Sequence, residues 1–310
     1  MPDAFWCDAA GWKDRWKATS TVGKGRHCVG HAARLLDGTD ATPRFLKVLK
    51  PGGGHVPEQQ LHNEARILAA LAPHPAIPRL IETNAQRHAA PEGVELYLVA
   101  ELIPGPTLEG LAASGQRLTE DAALALTERL LDAVAHCHGR GYVHCDVKPE
   151  NIILRGGDPA DPVLVDFNRA VHVGGDRPAG APADLLPQAV DPRTDLTQVA
   201  RILFWGLTGQ FHLPLRDWNG RAPHQRPQEK GGLRGRQGPR AQALRQFFDR
   251  AFALRIEHRF QSAAEFRAAL HPLRQVAAPG KAEAAARRVK GLSSPGGGPA
   301  APRHRPVPAA

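Results

Sequence analysis

The stretch GYVHCDVKPENIIL, residues 141–154, decides how this chain is read. Asp146, Lys148 and Asn151 stand at fixed offsets in it, just ahead of an apolar run, and Cys145 separates His144 from Asp146. Downstream, the strand-like PVLVDF brings a further carboxylate, Asp166, to the end of an apolar segment. The neighbouring His136, Cys137, His138, His144 and Cys145 carry softer ligand atoms, but their spacing matches no common zinc site.

Length and composition bound the possibilities. With 310 residues, 42% of them hydrophobic, the chain can bury a sizeable core as one large domain or two lobes. Cys7, Cys28, Cys137 and Cys145 form no C-x-x-C pair, so neither a disulfide framework nor a zinc module is indicated, and a reducing, cytoplasmic setting is expected. Asp3, Asp8, Lys13, Asp14 and Arg15 interrupt the start of the chain, which argues against a signal peptide. The longest apolar run, Val199 to Leu207, contains Arg201 and falls short of the roughly 20 residues a membrane helix needs. It reads as a buried core helix.

The net charge of +9 is concentrated in two stretches, 216–240 and 276–310, each of which nets +5 and leaves the body near neutral. Such patches recruit acidic partners through their field, and 216–240 is a candidate for one. Solvated arginine-rich loop is the plainer reading, and nucleic acid is not called for.

Strand-like runs dominate the first hundred residues: KATSTVGKG, VGHAARLL, RFLKVLK, AIPRLIET and VELYLVAEL. One helix interrupts them, EQQLHNEARILAAL, whose Leu61, Ala65, Leu68 and Leu71 share a face at the 3.6-residue period. After IPGPT the pattern turns helical, with Thr119 as an N-cap and Glu120 and Asp121 at the positive end of the helix dipole. The reading is an α+β, bilobal chain: an extension over 1–16, a small β-rich lobe and hinge over 17–103, a larger mainly α lobe over 104–275 and a tail over 276–310. The tail is rich in Ala, Pro, Gly and Arg and is expected to be disordered, because it cannot offset its ordering entropy by burial.

HCDVKPEN followed by LVDFN resembles the catalytic segments of eukaryotic-type serine/threonine protein kinases, of the sort bacteria also encode. The resemblance implies a bilobal kinase fold, ATP and Mg²⁺ as cofactors and a protein substrate with a Ser or Thr acceptor. In-line transfer of a phosphoryl group needs a carboxylate near the incoming hydroxyl, cations for the developing charge and divalent ions between the phosphates. By similarity Asp146 receives or orients the acceptor hydroxyl, Lys148 offsets charge on the moving group, and Asn151 and Asp166 converge on the metal. Lys47 matches the strand lysine that holds the α- and β-phosphates, and Glu64 the helix glutamate paired with it. Gly23 and Gly25 match the first two positions of the glycine-rich loop, Cys28 stands at the third, and Val29 is expected over the adenine. The carbonyl of Glu101 and the amide of Ile103 are expected at the adenine edge, with Ile153 as its floor. Phe45 stands where a small residue usually roofs the base and Ala100 at the gatekeeper position, which suggests a pocket reshaped by compensation between the two. Asp195 is expected to bond the backbone of the catalytic loop, and DRAFALRIEHRFQSAAEFRAAL resembles the closing helices.

Some positions depart from the family. Cys145 replaces an arginine that in many kinases contacts a phosphorylated activation segment. Residues 166–187 contain no Ser, Thr or Tyr, so the segment has nothing to phosphorylate and the two absences agree. Asn168 replaces the glycine of D-F-G, a substitution expected to work because asparagine tolerates left-handed backbone. Gln188 stands where a glutamate would face Arg259. Two alternatives remain open: a nucleotide-binding scaffold that transfers nothing, and a kinase-fold enzyme acting on a small molecule.

Overall fold

The computed structural model describes residues 5–52, 54–88, 94–176, 190–211, 214–226, 233 and 237–275. The tail 276–310 and Gln188 lie outside them. The first lobe is a five-stranded antiparallel sheet in the order β1-β2-β3-β5-β4, made of β1 (Trp16–Lys24), β2 (Cys28–Leu35), β3 (Arg44–Leu49), β4 (Leu80–Thr83) and β5 (Tyr97–Glu101). Period-2 alternation gives this sheet two different faces. Trp16, Ala33, Leu46, Tyr97 and Val99 form a cluster on the outer face, covered by Trp12 and Cys7 from the segment before β1. On the inner face Leu49 and Leu98 meet α1 (His55–Leu71), whose buried side chains include the periodic Leu61, Ala65, Leu68 and Leu71.

From Phe5 onward the expected extension is bonded into this lobe. Cys7 N–H donates to the Thr83 carbonyl at 2.9 Å, and Thr83 N–H to the Phe5 carbonyl at 2.8 Å. Glu82 fastens the same edge, accepting from Arg15 Nη2 (2.6 Å), the Trp16 indole (3.0 Å) and the Tyr97 hydroxyl (2.6 Å). Burial alone would raise the Glu82 carboxyl, but these donors bring it below its ordinary value.

The second lobe is built on α2 (Leu108–Ala113), α3 (Glu120–Gly139), α4 (Arg193–Thr208), α5 (Pro239–Ala251) and α6 (Ala263–Gln275). Thr119 caps α3 by accepting the Ala122 N–H at 3.2 Å. The apolar run Val199–Leu207 is the interior of α4, packed on α3, and Phe247, Phe248, Phe252, Phe260 and Phe266 close the core beneath it. No described helix is long and apolar enough to cross a membrane. Two short pairs lie at the junction of the lobes: β6 (Tyr142–Val143) with β9 (Val171–His172), and β7 (Ile152–Leu154) with β8 (Pro162–Leu164).

Within the basic stretch 216–240, three of the described arginines turn to partners inside the lobe. Arg216 donates to the Leu215 and Phe252 carbonyls, Arg226 to the Pro214 carbonyl, and Arg240 to Glu120 and the Leu273 carbonyl. Arg226 and Arg240 are buried. These three cations tie the lobe's own segments together, whereas Arg221 is exposed, and Lys230, Arg234 and Arg236 lie outside the described residues.

The burial of His224 predicts a fold that loses stability in acid. It is 3% exposed against Phe248 and Phe252, and burial depresses its pKa from the ordinary 6.5 in spite of its contact with Asp249 at 2.8 Å. His62 and His74 are depressed for the same reason. Above 6.5 neither folded nor unfolded chain binds these protons; below it the unfolded chain binds them first, so stability falls until the folded values are reached. The thermal midpoint is therefore expected to drop between pH 7.5 and 5.5. His224→Gln should flatten that slope, and a slope unchanged by the substitution would show that His224 contributes nothing to it.

Candidate active site

β3 turns Phe45, Lys47 and Leu49 to the inner face, and α1 turns Glu64 toward the same interface as Leu61 and Leu68. Lys47 Nζ lies 2.7 Å from Glu64 Oε2 and 2.7 Å from Asp166 Oδ1. Burial would lower the Lys47 pKa, but Glu64 and Asp166 outweigh it and raise the value, so Lys47 stays a cation. Glu64 is raised, because burial outweighs the single ammonium it shares; Asp166 is lowered, because for it the ammonium wins. Glu64 also accepts the Phe167 N–H, and Asn63 Nδ2 donates to the Ala170 carbonyl at 2.9 Å. Helix α1 is thereby tied to the segment that follows Asp166.

The first turn of α4 fastens the stretch 144–147. Asp195, fully buried, accepts the N–H groups of His144 and Cys145 at 2.8 Å each and lies 3.0 Å from His138 Nε2. Gln198 accepts the Val147 N–H (2.8 Å) and donates to the Cys145 carbonyl (3.0 Å). This grip sustains a left-handed backbone at Cys145 (φ 65°), a conformation uncommon outside glycine. Beyond it, Asp146 Oδ2 lies 3.0 Å from Lys148 Nζ and 3.1 Å from Asn151 Nδ2, which also donates to the Asp146 carbonyl at 2.9 Å. Lys47, Glu64 and Asp166 thus form one cluster and Asp146, Lys148 and Asn151 a second. The Val165 N–H, bonded to the Asn151 carbonyl at 2.9 Å, links them.

The D-F-N turn differs from expectation. The left-handed residue is Asp166 (φ 64°), and Asn168 sits in a right-handed 3-10 turn spanning Phe167–Arg169. Asparagine at 168 is therefore tolerated because no left-handed backbone is required there. Its Oδ1 is buried without a hydrogen-bond partner among the described residues.

Cys145 fills an apolar niche with Val143, Val171 and Val190 and is fully buried. Val190 exchanges backbone bonds with the start of the same segment: Gly174 N–H donates to the Val190 carbonyl (2.9 Å), and Val190 N–H to the Gly175 carbonyl (3.0 Å). Burial pushes the Cys145 thiol far up, as it does Cys137. His136 lies 2.7 Å from the Leu71 carbonyl, so the histidines and cysteines of this stretch serve packing and the backbone.

At the glycine-rich hairpin the register corrects one expectation. Val29 pairs with Val48 and Gly30 with Lys47, so Val29 faces outward and Gly30 takes the inner position expected of a valine. Gly23, paired with Gly30, and Gly25, whose N–H donates to the Cys28 carbonyl at 3.0 Å, make the turn at full length. Phe45 is opposite Ala100 in register, but its ring lies over Gly30: a Cβ on Gly30 would come within 2.7 Å of it. The volume compensating for Phe45 is chiefly that of Gly30.

At the hinge, Glu101 ends β5 with its side chain on Arg155 (2.9 Å), and Ile103 is buried. The chain then crosses β7 so closely that a Cβ on Gly105 would sit 1.9 Å from the Leu154 carbonyl oxygen; only glycine fits. Ile153 alternates with the fully buried Ile152 and Leu154 and is itself half-buried, on the opposite face of β7.

Sequence reasoning missed Gly30, Arg169 and Gln198. Counting seven residues from Gly23 would have found Gly30. Arg169, 3.6 Å from Asp146 Oδ1, carried no such signal, because nothing local says which way the residue after D-F-N points.

A protein kinase domain model matches residues 16–181. Among curated relatives, CBL-interacting protein kinase 20 of Oryza sativa subsp. japonica is 29% identical over 226 residues, 66% of this chain and 46% of that protein. Serine/threonine-protein kinase D2 of Rattus norvegicus is 36% identical over 168 residues, 50% of this chain and 18% of that protein. Calcium/calmodulin-dependent protein kinase type II subunit delta of Oryctolagus cuniculus is 30% identical over 184 residues, 57% and 33% respectively. The chain spans less than half the length of each of these relatives. The match covers the sheet, the Lys47–Glu64 pair and the Asp146 loop in one continuous span, and on it the chain belongs to the protein kinase family, of the eukaryotic type.

Proposed function

We propose that the chain transfers the γ-phosphoryl of Mg-ATP to Ser or Thr hydroxyls of a protein. The observation that carries this is Lys47 Nζ at 2.7 Å from both Glu64 and Asp166, in a molecule whose Asp146, Lys148 and Asn151 are assembled beside them. Lys47 is poised for the α- and β-phosphates and Asp146 for the acceptor hydroxyl. Lys148 supplies positive charge to the group in transit. Arg169 adds a second cation on the other oxygen of Asp146 and so orients that carboxylate.

The donor set fits Mg²⁺ bound together with a nucleotide. Asn151 engages its Nδ2 with Asp146 and is left with Oδ1 to offer, and Asp166 adds carboxylate oxygen. When bound, the ion would neutralise charge on the β- and γ-phosphates.

We further propose that activity needs no phosphorylation of the activation segment. Where relatives that use a phosphate have an arginine, Cys145 packs on Val190 and Val171, and the Gly174, Gly175 and Val190 backbones bond one another. An apolar contact then does the work of the charged one.

Transfer of label from γ-labelled ATP to a mixed protein substrate, wild type against Asp146→Asn, tests the assignment. Loss of the positioned carboxylate should slow transfer by about 10²–10⁴-fold. Equal incorporation in the mutant would remove Asp146 from the chemistry, and label confined to a low-mass fraction would favour a small-molecule acceptor.

A further inference from the structure

We infer that Phe45 is the purine-stacking residue of the nucleotide site, presenting an aromatic face to the base across the space that Gly30 leaves open. The inference rests on the proposal that this cleft binds ATP. Three facts carry it. Phe45 shares the inner face of β3 with Lys47, two residues away, so its ring and the ammonium lie on the same side of the sheet. Gly30 is buried directly beneath the ring, and its missing side chain is what admits it: an added Cβ would approach Phe45 Cε2 to 2.7 Å and Cζ to 3.0 Å. Yet Phe45 is only half-buried, while its strand neighbour Leu46 is fully buried on the other face.

A phenyl ring serving only to fill the sheet would be expected to be as fully buried as Leu46 beside it. Stacking on a purine would cover that open surface. The small Ala100 opposite leaves the far side of the ring without a bulky neighbour in register. The pair Gly30 and Phe45 thus exchanges an aliphatic roof carried on β2 for an aromatic one carried on β3. Selectivity for flat π-faced bases follows, because an aromatic ring stabilises a base through its whole face.

The test measures equilibrium binding of mant-ADP to the full chain by fluorescence, alongside thermal midpoints of the same proteins. Phe45→Leu preserves bulk without a π-face and should weaken mant-ADP at least about 5-fold, toward the lower end of the roughly 5- to 150-fold that alanine substitution gives for one base–aromatic stack. Its midpoint should stay near that of wild type. Gly30→Val should push the ring out of place and weaken binding, whereas Gly30→Val combined with Phe45→Ala should regain affinity relative to either Gly30→Val or Phe45→Ala alone, since the valine reoccupies the vacated volume. Wild-type affinity in Phe45→Leu would overturn stacking, and strictly additive losses in the double variant would overturn the exchange of volumes. A wild-type chain that fails to bind mant-ADP would take down the nucleotide reading and this inference with it. Binding by wild type with no response to Phe45 would sink the inference alone.

Discussion

Cys145→Arg is expected to lower the thermal midpoint by roughly 6–20 °C, even though it installs the arginine that the family resemblance leads one to expect there. The side chain at 145 is fully buried among Val143, Val171 and Val190, and the buried carboxylate of Asp195 is already engaged by two backbone N–H groups of the same loop. A guanidinium driven into that niche meets no free carboxylate among the described residues that line it, at a cost of about 3–5 kcal/mol. The segment 166–187 offers no hydroxyl whose phosphate could compensate. Differential scanning fluorimetry of Cys145→Arg beside Cys145→Ala separates charge from packing, since alanine keeps the niche apolar. A midpoint for the arginine variant within about 2 °C of the alanine variant would mean that the niche opens to solvent and that the apolar contact is dispensable. Native-state titration with a thiol reagent adds a second reading: Cys145 and Cys137 should resist modification until the chain unfolds, because burial disfavours their thiolates.

Lys47→Met should abolish measurable phosphoryl transfer, a fall of at least about 10²–10³-fold, through loss of a preorganised cation at the phosphates. Stability should fall as well. Glu64, 5% exposed, would lose the cation that offsets its burial, and breaking a buried pair from one side costs about 3–5 kcal/mol. The double variant Lys47→Met/Glu64→Gln divides the two effects: it should recover most of the thermal midpoint, since no buried carboxylate remains on α1, while transfer stays lost. Recovery of transfer in the double variant would show that Lys47 acts only by balancing Glu64.

Much of the site was legible because kinase chemistry constrains short, local spacings. Asp146, Lys148 and Asn151 lie within six residues, and their contacts are made within that same loop. Lys47 and Glu64 were readable from their order ahead of the loop, and the helix that presents Glu64 shows its apolar period plainly. Asp195 as the bolt of the catalytic loop was expected from the family resemblance alone, and the structure places it at the start of α4 with the His144 and Cys145 N–H groups on its carboxylate.

Other features depend on register and on distant partners. Whether Val29 or Gly30 faces the cleft turns on a single step of hairpin register, and a one-residue slip reverses every side chain. Gly30 and Phe45 meet because β2 pairs with β3, and neither residue's local sequence names the other. Arg216, Arg226 and Arg240 read as a basic surface, yet they turn inward to carbonyls and to Glu120, a choice set by tertiary packing. The sequence by itself determined the family, the two lobes and the charges near the proposed phosphates, because these rest on local spacing and periodicity. Only the tertiary structure decided that Cys145 meets Val190 and that Phe45 lies over Gly30, because each contact joins segments whose approach is fixed by the packing of the whole chain.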